Sequence, residues 1–484
     1  VIVTLSLIGG FFLSGLIVTY ILWDKINIKY LQYSVVGLIA TLPFERIPSL
    51  DVGPATIRVS QLIFLFCVYL IVILIIKQDK ELRKVKFGAL PFFSLIFIAL
   101  TIPSWFFVID ANRFWVTSIA TWISFGIAVI ISQFLYHRIV AFYALLIGMF
   151  VSGIFGIYQF LGDMIGLPIT LTGLRDQYTK IVFGFPRIHS TALEPLYFAG
   201  MLFIPIIAFT LLVLADRSII KKYPKWLVNI GGLYGFLLIF FLAFSKGAIA
   251  ILAFILCILV LFWTFKNRSI KSLVRLASIA ILPLIGVYGY LVTQPQTPEF
   301  VDSILFHIEE TIEGRSATVI QRSLFVDSAI ELLPNYIISG SGSGQYGVIA
   351  SPLLKSIPFQ DSGSYLIVNN VYLEIWIEFG LMALVAFVMI FFYFLYRGFE
   401  TILKIKDWRK IEVIILITLT FTLLAYIIQW LTFSPIYITP IFIVLGFLDS
   451  MLHSNYIIEH SRSLTQTKKS TFANDDMINN LDTN

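Results

Sequence analysis

Long apolar runs recur from one end of the chain to the other, and they constrain the fold more than any motif does. A bilayer's hydrocarbon core is about 30 Å thick and a helix rises about 1.5 Å per residue, so a span needs roughly 20 mostly apolar residues. Such runs lie at residues 3–22, 31–44, 60–77, 88–109, 114–135, 139–161, 195–215, 226–243, 248–265, 273–292, 370–396, 411–430 and 434–451. The second is short and runs into Pro43–Phe44–Glu45–Arg46–Ile47–Pro48, where two prolines end the helix, so it reads as a half-span. Of 484 residues, 58% are hydrophobic and 13% charged, against roughly 25% charged in a soluble chain. No soluble core could hold so much apolar side chain. The predicted fold is all-α, a polytopic integral membrane protein of about 12–13 transmembrane helices with one long extracytoplasmic loop containing helical segments.

The net charge of +6 does not mark nucleic acid as a partner, because the basic residues are spread over short loops and not gathered on one face. They fit the excess of Lys and Arg found on cytoplasmic loops. Four loops qualify: Lys77, Lys80, Arg83, Lys84 and Lys86; Arg217, Lys221, Lys222 and Lys225; Lys266, Arg268, Lys271 and Arg275; and Arg397, Lys404, Lys406, Arg409 and Lys410. With these inside, residues 162–194, 244–247 and 293–369 face outward. The alternation is consistent from residue 60 onward and puts the N-terminus outside if 3–22 spans; a re-entrant or missing first segment would reverse that end. The chain then divides into N-terminal transmembrane helices (1–292), the long extracytoplasmic loop (293–369), C-terminal helices (370–452) and a tail (453–484) whose Ser, Thr, Asn and Asp predict a disordered cytoplasmic extension. Cys67 and Cys257 sit in apolar runs as small hydrophobes and imply neither a metal site nor a disulfide framework.

Charge concentrates in the outer segments. One ends in Arg187–Ile188–His189–Ser190–Thr191–Ala192–Leu193–Glu194–Pro195. Pro195 suits the first position of a helix, and Glu194 lies at the positive end of that helix's dipole. Arg187 carries a fixed charge and a forked donor set suited to phosphate; the plain alternative is an arginine snorkelling to headgroups. In the turn Ser245–Lys246–Gly247, Lys246 either supplies a cation or anchors a helix end. Glu313–Gly314–Arg315 opens a helical run to Leu333, and Arg322 follows Arg315 by seven residues, two turns, on the same face. Two aligned arginines make a diphosphate clamp, or a solvated face paired with Glu309, Glu310 or Glu313. Gly340–Ser341–Gly342–Ser343–Gly344 lacks the strand and lysine of a phosphate-binding loop and reads as a tight turn. Asn370, Glu374 and Glu378 are four apart, so they share one helical face at or just inside the outer boundary. Ionisable groups at that depth are functional by default; the alternative is a hydrogen-bonded seam between helices.

Taken in order, Arg187-x-x-Ser190–Thr191-x-x-Glu194–Pro195, Ser245–Lys246–Gly247, Gly314–Arg315 with Arg322, Gly340-x-Gly342-x-Gly344-x-Tyr346, and Asn369–Asn370–Val371–Tyr372–Leu373–Glu374 with Gly380 resemble the superfamily of O-antigen ligases and Wzy-type polymerases. The likeness runs from about Pro43 to Met451. It implies a multi-pass protein of the bacterial plasma (inner) membrane whose active site faces outward and moves saccharide from undecaprenyl diphosphate to an acceptor, with no metal, cofactor or nucleotide. The partners implied are an undecaprenyl-diphosphate-linked oligosaccharide and the lipid bilayer, with room for a chain-length regulator and no nucleic acid. The resemblance puts Arg187 and Arg315 on the diphosphate, Arg322 at a further basic position, and Lys246 where many members carry Arg. Ligases of the lipopolysaccharide type place His where this chain has Asn369, so an acceptor base of that kind is absent.

The expected catalytic residues are therefore Glu374, Asn370 and Arg315, and the expected substrate-binding residues are Arg187, Lys246, Arg315, Arg322, Glu194, Tyr372, Glu378 and Asn369. The reading that follows is a polymerase joining lipid-linked oligosaccharide repeats into a surface polysaccharide. The alternatives are a ligase that moves glycan to a lipid or protein acceptor and, from another class, a secondary transporter or flippase. Transporters place polar sites near the midplane, whereas the charges here crowd into outer loops.

Overall fold

The computed structural model describes residues 23–52, 55–85, 87–179, 185–217, 223–267, 274, 317–354, 366–434 and 438–453. The runs at 3–22 and 273–292, Arg315, and the tail from 454 onward lie outside the described residues. Among the described residues eight helices are long and apolar enough to cross a membrane, and three shorter apolar helices accompany them. The chain is a multi-pass membrane protein of the all-α class.

In chain order the helices are α1 (Ile28–Ala40), α2 (Val59–Ile76), α3 (Ala89–Thr101, continued by 3-10 turns to Phe107), α4 (Ala111–Phe134) and α5 (Arg138–Met164). They are followed by the short α6 (Ile169–Thr172), then α7 (Pro195–Met201) running on into α8 (Phe203–Ala215), α9 (Lys225–Leu242) and α10 (Lys246–Asn267). The long loop contributes α11 (Ala317–Leu332) and α12 (Tyr346–Ala350), and the chain continues through α13 (Val371–Phe379), α14 (Leu381–Lys404), α15 (Ile411–Gln429) and α16 (Thr439–His453). Between α1 and α2 lies an antiparallel hairpin that the all-helical reading did not foresee: β1 (Ser49–Val52) pairs with β2 (Ala55–Arg58), Ser49 opposite Arg58.

Every residue of α8 is buried, and α15 and α16 are nearly so, which makes them the centre of the bundle. The apolar side chains of α2 are largely exposed, as on a lipid-facing rim. Without a hydrophobic drive between helices in lipid, close packing of small residues does the work. A Cβ at Gly446 on α16 would fall 2.3 Å from the Ala128 carbonyl oxygen on α4, so these backbones meet only because the residue is glycine.

The run predicted as one span over 370–396 is two helices. The chain breaks at Gly380, whose φ is +87°, and a Cβ there would sit 2.1 Å from the Ile338 carbonyl oxygen. The spanning helix therefore starts at Leu381, and the nine-residue α13 precedes it. Its Val371, Ile375 and Phe379 pack in the main core of the bundle, while its Ile377 joins a second core with Phe325, Ala329, Tyr346, Ala350, Leu354, Leu366 and Val368. The described part of the long loop is thus a small helical cap with its own apolar interior.

Candidate functional site

The segment 185–194 is stitched down by α5. Gln159, fully buried, accepts the Ser190 N–H at 2.7 Å and donates to the Ser190 carbonyl at 3.3 Å. Ser152, two turns earlier on the same face, meets Ser190 Oγ at 3.0 Å and Thr191 Oγ1 at 2.6 Å. Thr191 also donates to the Pro43 carbonyl, and the Arg46 N–H donates to the Thr191 carbonyl at 2.7 Å, so the proline-broken stretch after α1 is sewn to the same loop. Its backbone polar groups are consumed by this lacing, which leaves the flanking charged side chains to point elsewhere.

Those side chains form an arginine lobe. The Arg187 guanidinium lies 5.9 Å from the Tyr178 ring centroid, and its Nε is buried with no hydrogen-bond partner. Burial pushes the Arg187 pKa down; Tyr178 and Glu194 support its charge and Arg322 opposes it. Burial pushes Glu194 up, against the pull of Arg175, Arg322 and Arg187. Glu45 is raised by burial too, with Arg58 at 3.7 Å and Arg175 within electrostatic reach. Four guanidinium groups, on Arg58, Arg175, Arg187 and Arg322, thus face two carboxylates that also repel each other. His189 is fully buried, its Nδ1 3.1 Å from the Ala192 carbonyl, and burial with Arg46 and Arg175 pushes it down to about 4, so the ring is neutral. Lys246 opens α10, exposed, and the residues before it are tied to the arginine loop: Phe244 stacks on Phe185 at 6.4 Å, and the Ile188 N–H donates to the Leu242 carbonyl at 3.2 Å.

A carboxylate lobe lies on α13. Asn370 caps that helix, its Oδ1 accepting the Leu373 N–H at 3.0 Å and its Nδ2 donating to the Leu431 carbonyl at 3.3 Å. Tyr372 donates its hydroxyl to the Ile427 carbonyl at 2.8 Å, bracing α13 on α15. Asn369, before the cap, is left-handed with φ +61°. Glu378 is committed: Oε2 accepts the Gly344 N–H at 2.8 Å and Oε1 the Tyr346 N–H at 3.2 Å. The glycine turn also lies so close to the end of the α13 backbone that a Cβ at Gly340, φ +72°, would fall 2.4 Å from the Glu378 main-chain carbonyl oxygen. Glu374, one turn earlier, is buried with Oε2 lacking any hydrogen bond. Burial raises both carboxyls; Ser434, the Val368 backbone and Arg113 oppose the rise at Glu374, and the Glu374 charge adds to it at Glu378.

Of the residues the sequence singles out, the structure brings Arg187, Glu194 and Arg322 together in one lobe and Asn370, Glu374 and Glu378 in the other. Arg175, Arg58 and Arg113 were missed, as were Gln345 and Ser434. Fully buried Gln345 accepts the Ile109 and Asp110 N–H groups at 3.0 and 2.8 Å, fastening the start of α4 beneath the glycine turn. Ser434 joins the lobes: its carbonyl accepts the Tyr197 hydroxyl at 2.8 Å, three residues past Glu194, and its side chain lies beside Glu374. Among the described residues no group of three or more His, Cys, Asp or Glu is set to hold a metal ion.

Residues 232–388, about a third of the chain, match the family model described as O-antigen ligase. The match takes in Lys246, Arg322, the glycine turn and the whole of α13, and it supports the resemblance to the O-antigen ligase and Wzy-type superfamily. No curated protein matches the chain.

Proposed function

We propose that this chain, a membrane protein of glycan transfer, polymerises undecaprenyl-diphosphate-linked oligosaccharide repeats into a surface polysaccharide on the outer face of the bacterial plasma membrane. The observation that carries the reading is the arginine lobe, where the buried Nε of Arg187 has no acceptor and guanidinium groups outnumber carboxylates. A donor in that state calls for an oxyanion. Breaking a sugar–diphosphate bond moves negative charge onto the leaving phosphate, and fixed cations already in place lower that barrier without metal. The polyprenyl tail needs the bilayer and the sugar needs water, which suits a site at the end of a helical bundle.

In the reaction an acceptor hydroxyl gives its proton to Glu374 while its oxygen attacks the anomeric carbon. The bond from that carbon to the diphosphate oxygen breaks, and undecaprenyl diphosphate leaves held by Arg187, Arg322 and Arg315. A buried carboxyl raised toward neutrality is a better base than an exposed one. Glu378 and Asn370 are positioning residues that hold the turn and the helix start, and Lys246, Glu194, Tyr372 and Asn369 border the sugar. The matched family description favours a second reading, transfer to a lipid or protein acceptor. Purified protein given lipid-diphosphate oligosaccharide alone separates the two. A ladder of products is expected; consumption of donor only after a second acceptor is added would replace the polymerase with a ligase.

A further inference from the structure

His189 follows Arg187 by two residues in the arginine lobe, and the transfer chemistry does not use it. Both side chains lie against one ring: the Arg187 guanidinium is 5.9 Å and the His189 ring 5.7 Å from the centroid of Tyr178. The Arg187 N–H donates to the Tyr178 carbonyl at 2.9 Å, which ties the segment to that tyrosine. The imidazole is fully buried, and the backbone places its proton. Nδ1 lies 3.1 Å from the Ala192 carbonyl, which can only accept, so Nδ1 carries the N–H. Burial, Arg46 and Arg175 keep the ring neutral against the opposing pull of the Ala192 and Ser190 backbone. A neutral imidazole has one N–H, so Nε2 is a bare lone pair, and among the described residues it has no hydrogen-bond partner.

Arg187 Nε and His189 Nε2 are therefore buried, unpaired atoms of opposite sense, a donor and an acceptor. Glu45 Oε1, another buried acceptor there without a hydrogen bond, differs in facing the Arg58 guanidinium at 3.7 Å. Each unpaired atom costs free energy until a ligand meets it. A diphosphate answers only the donor, because its oxygens carry no hydrogen at neutral pH and repel a lone pair. In a glycan donor the group joined to the diphosphate is a sugar, and sugars carry O–H and N–H groups close to the anomeric carbon. We propose that His189 Nε2 accepts a hydrogen bond from an O–H or N–H of the first sugar, beside the diphosphate held by Arg187. The inference rests on the transfer reading above and makes His189 a specificity residue. A site built to pair a substrate hydrogen-bond donor rejects analogues that lack it, since its own buried acceptor is then left bare.

The full chain in detergent can be titrated with two probes, undecaprenyl diphosphate and the lipid-linked oligosaccharide extracted from cells lacking this protein. His189→Leu keeps bulk and removes the lone pair. It should weaken binding of the oligosaccharide-bearing lipid about tenfold, the share of one buried hydrogen bond, and leave undecaprenyl diphosphate within about twofold of wild type. His189→Gln, whose amide oxygen reaches the place of Nε2, should restore part of the loss. Equal weakening of both lipids by His189→Leu would reduce the ring to a brace of the 189–192 turn, and no weakening would leave Nε2 without a ligand. Either result overturns the inference while the diphosphate reading stands. Wild type supplies a test that no variant's folding can spoil: among synthetic donors lacking one O–H or N–H of the first sugar at a time, one should bind about tenfold more weakly. Uniform binding across that series overturns the inference as well. Wild type that binds neither lipid would instead sink the transfer reading, and the sugar contact with it.

Discussion

In the arginine lobe Arg187 keeps a buried Nε without an acceptor while four guanidinium groups crowd two carboxylates. On α13, by contrast, both oxygens of Glu378 are taken by backbone amides of the glycine turn. Both regions bury charge at the same end of the bundle, but the Glu378 carboxylate is closed on the turn and the Arg187 guanidinium is not. A buried group that lacks its partner costs about 1–3 kcal/mol, more when charged, so it persists only where something else is gained. On the proposed reading, that difference separates binding machinery from scaffold more sharply than charge does. It predicts that Arg187→Ala lowers turnover about 10³-fold, as expected for a guanidinium that meets phosphoryl charge in the transition state, with no loss of thermal stability. Arg187→Lys should recover only part, since the fork is gone. A variant that melts well below wild type yet retains activity would mean that the arginine is structural.

Glu374 is the test of whether the carboxylate lobe has an open half. Its Oε2 has no hydrogen bond although it lies one turn from the committed Glu378. Glu374→Gln should reduce turnover about 10²-fold, the ordinary share of a general base, while binding of the lipid-linked donor stays within a few-fold. Full turnover in this variant would make the Glu374 face a packing seam.

Local pattern made the spans legible, because about 20 apolar residues in a row announce a helix whatever lies around them. The i, i+4 spacing likewise put Glu374 and Glu378 on one face. It could not say which one the glycine turn would claim, since Gly344 and Tyr346 arrive from more than 30 residues away. The break at Gly380 was hidden for the same reason. Apart from Asn370, Glu374 and Glu378, residues 370–396 are largely apolar on both sides of the glycine, and the stop is imposed by Leu381 N–H donating to the Ile337 carbonyl at 2.8 Å. Arg113 stands just before the run at 114–135, and only the distant Leu366 carbonyl, 3.4 Å from its Nη2, shows it under the cap. Arg175 stands in no motif, so nothing short of the fold could place it beside Glu45 and Glu194.

The closed half should respond in stability before activity. Glu378→Gln replaces one acceptor oxygen by a donor, leaving a loop amide unpaired at a cost of about 1–3 kcal/mol. The pH dependence has a definite sign. Burial raises the Glu378 and Glu374 carboxyls in the folded chain, so the folded state holds protons that the unfolded chain releases near the ordinary carboxylate value. Their contribution is present at low pH and is lost as pH rises through neutrality. The thermal midpoint in detergent should therefore fall from about pH 5 to pH 8, and the fall should flatten in Glu374→Gln. A midpoint that climbs over this range would place the carboxylates in a far more polar setting than the cap provides.

The smallest effect is expected at Asn369. Its backbone is left-handed, φ +61°, directly before the Asn370 cap. Asn is among the few side chains that tolerate that conformation, and His is another. Asn369→His should thus fold normally and keep activity within about threefold of wild type, since the backbone cost is nearly the same. Asn369→Val is the control: a β-branched residue held there costs about 1–3 kcal/mol, and the α13 start should loosen with it. If the added imidazole instead speeds transfer to an external acceptor while the polymer ladder fades, position 369 selects between the two acceptors. A tenfold loss in Asn369→His with normal melting would show that the Asn amide itself touches substrate, and the open half of the lobe would then extend one residue beyond Glu374.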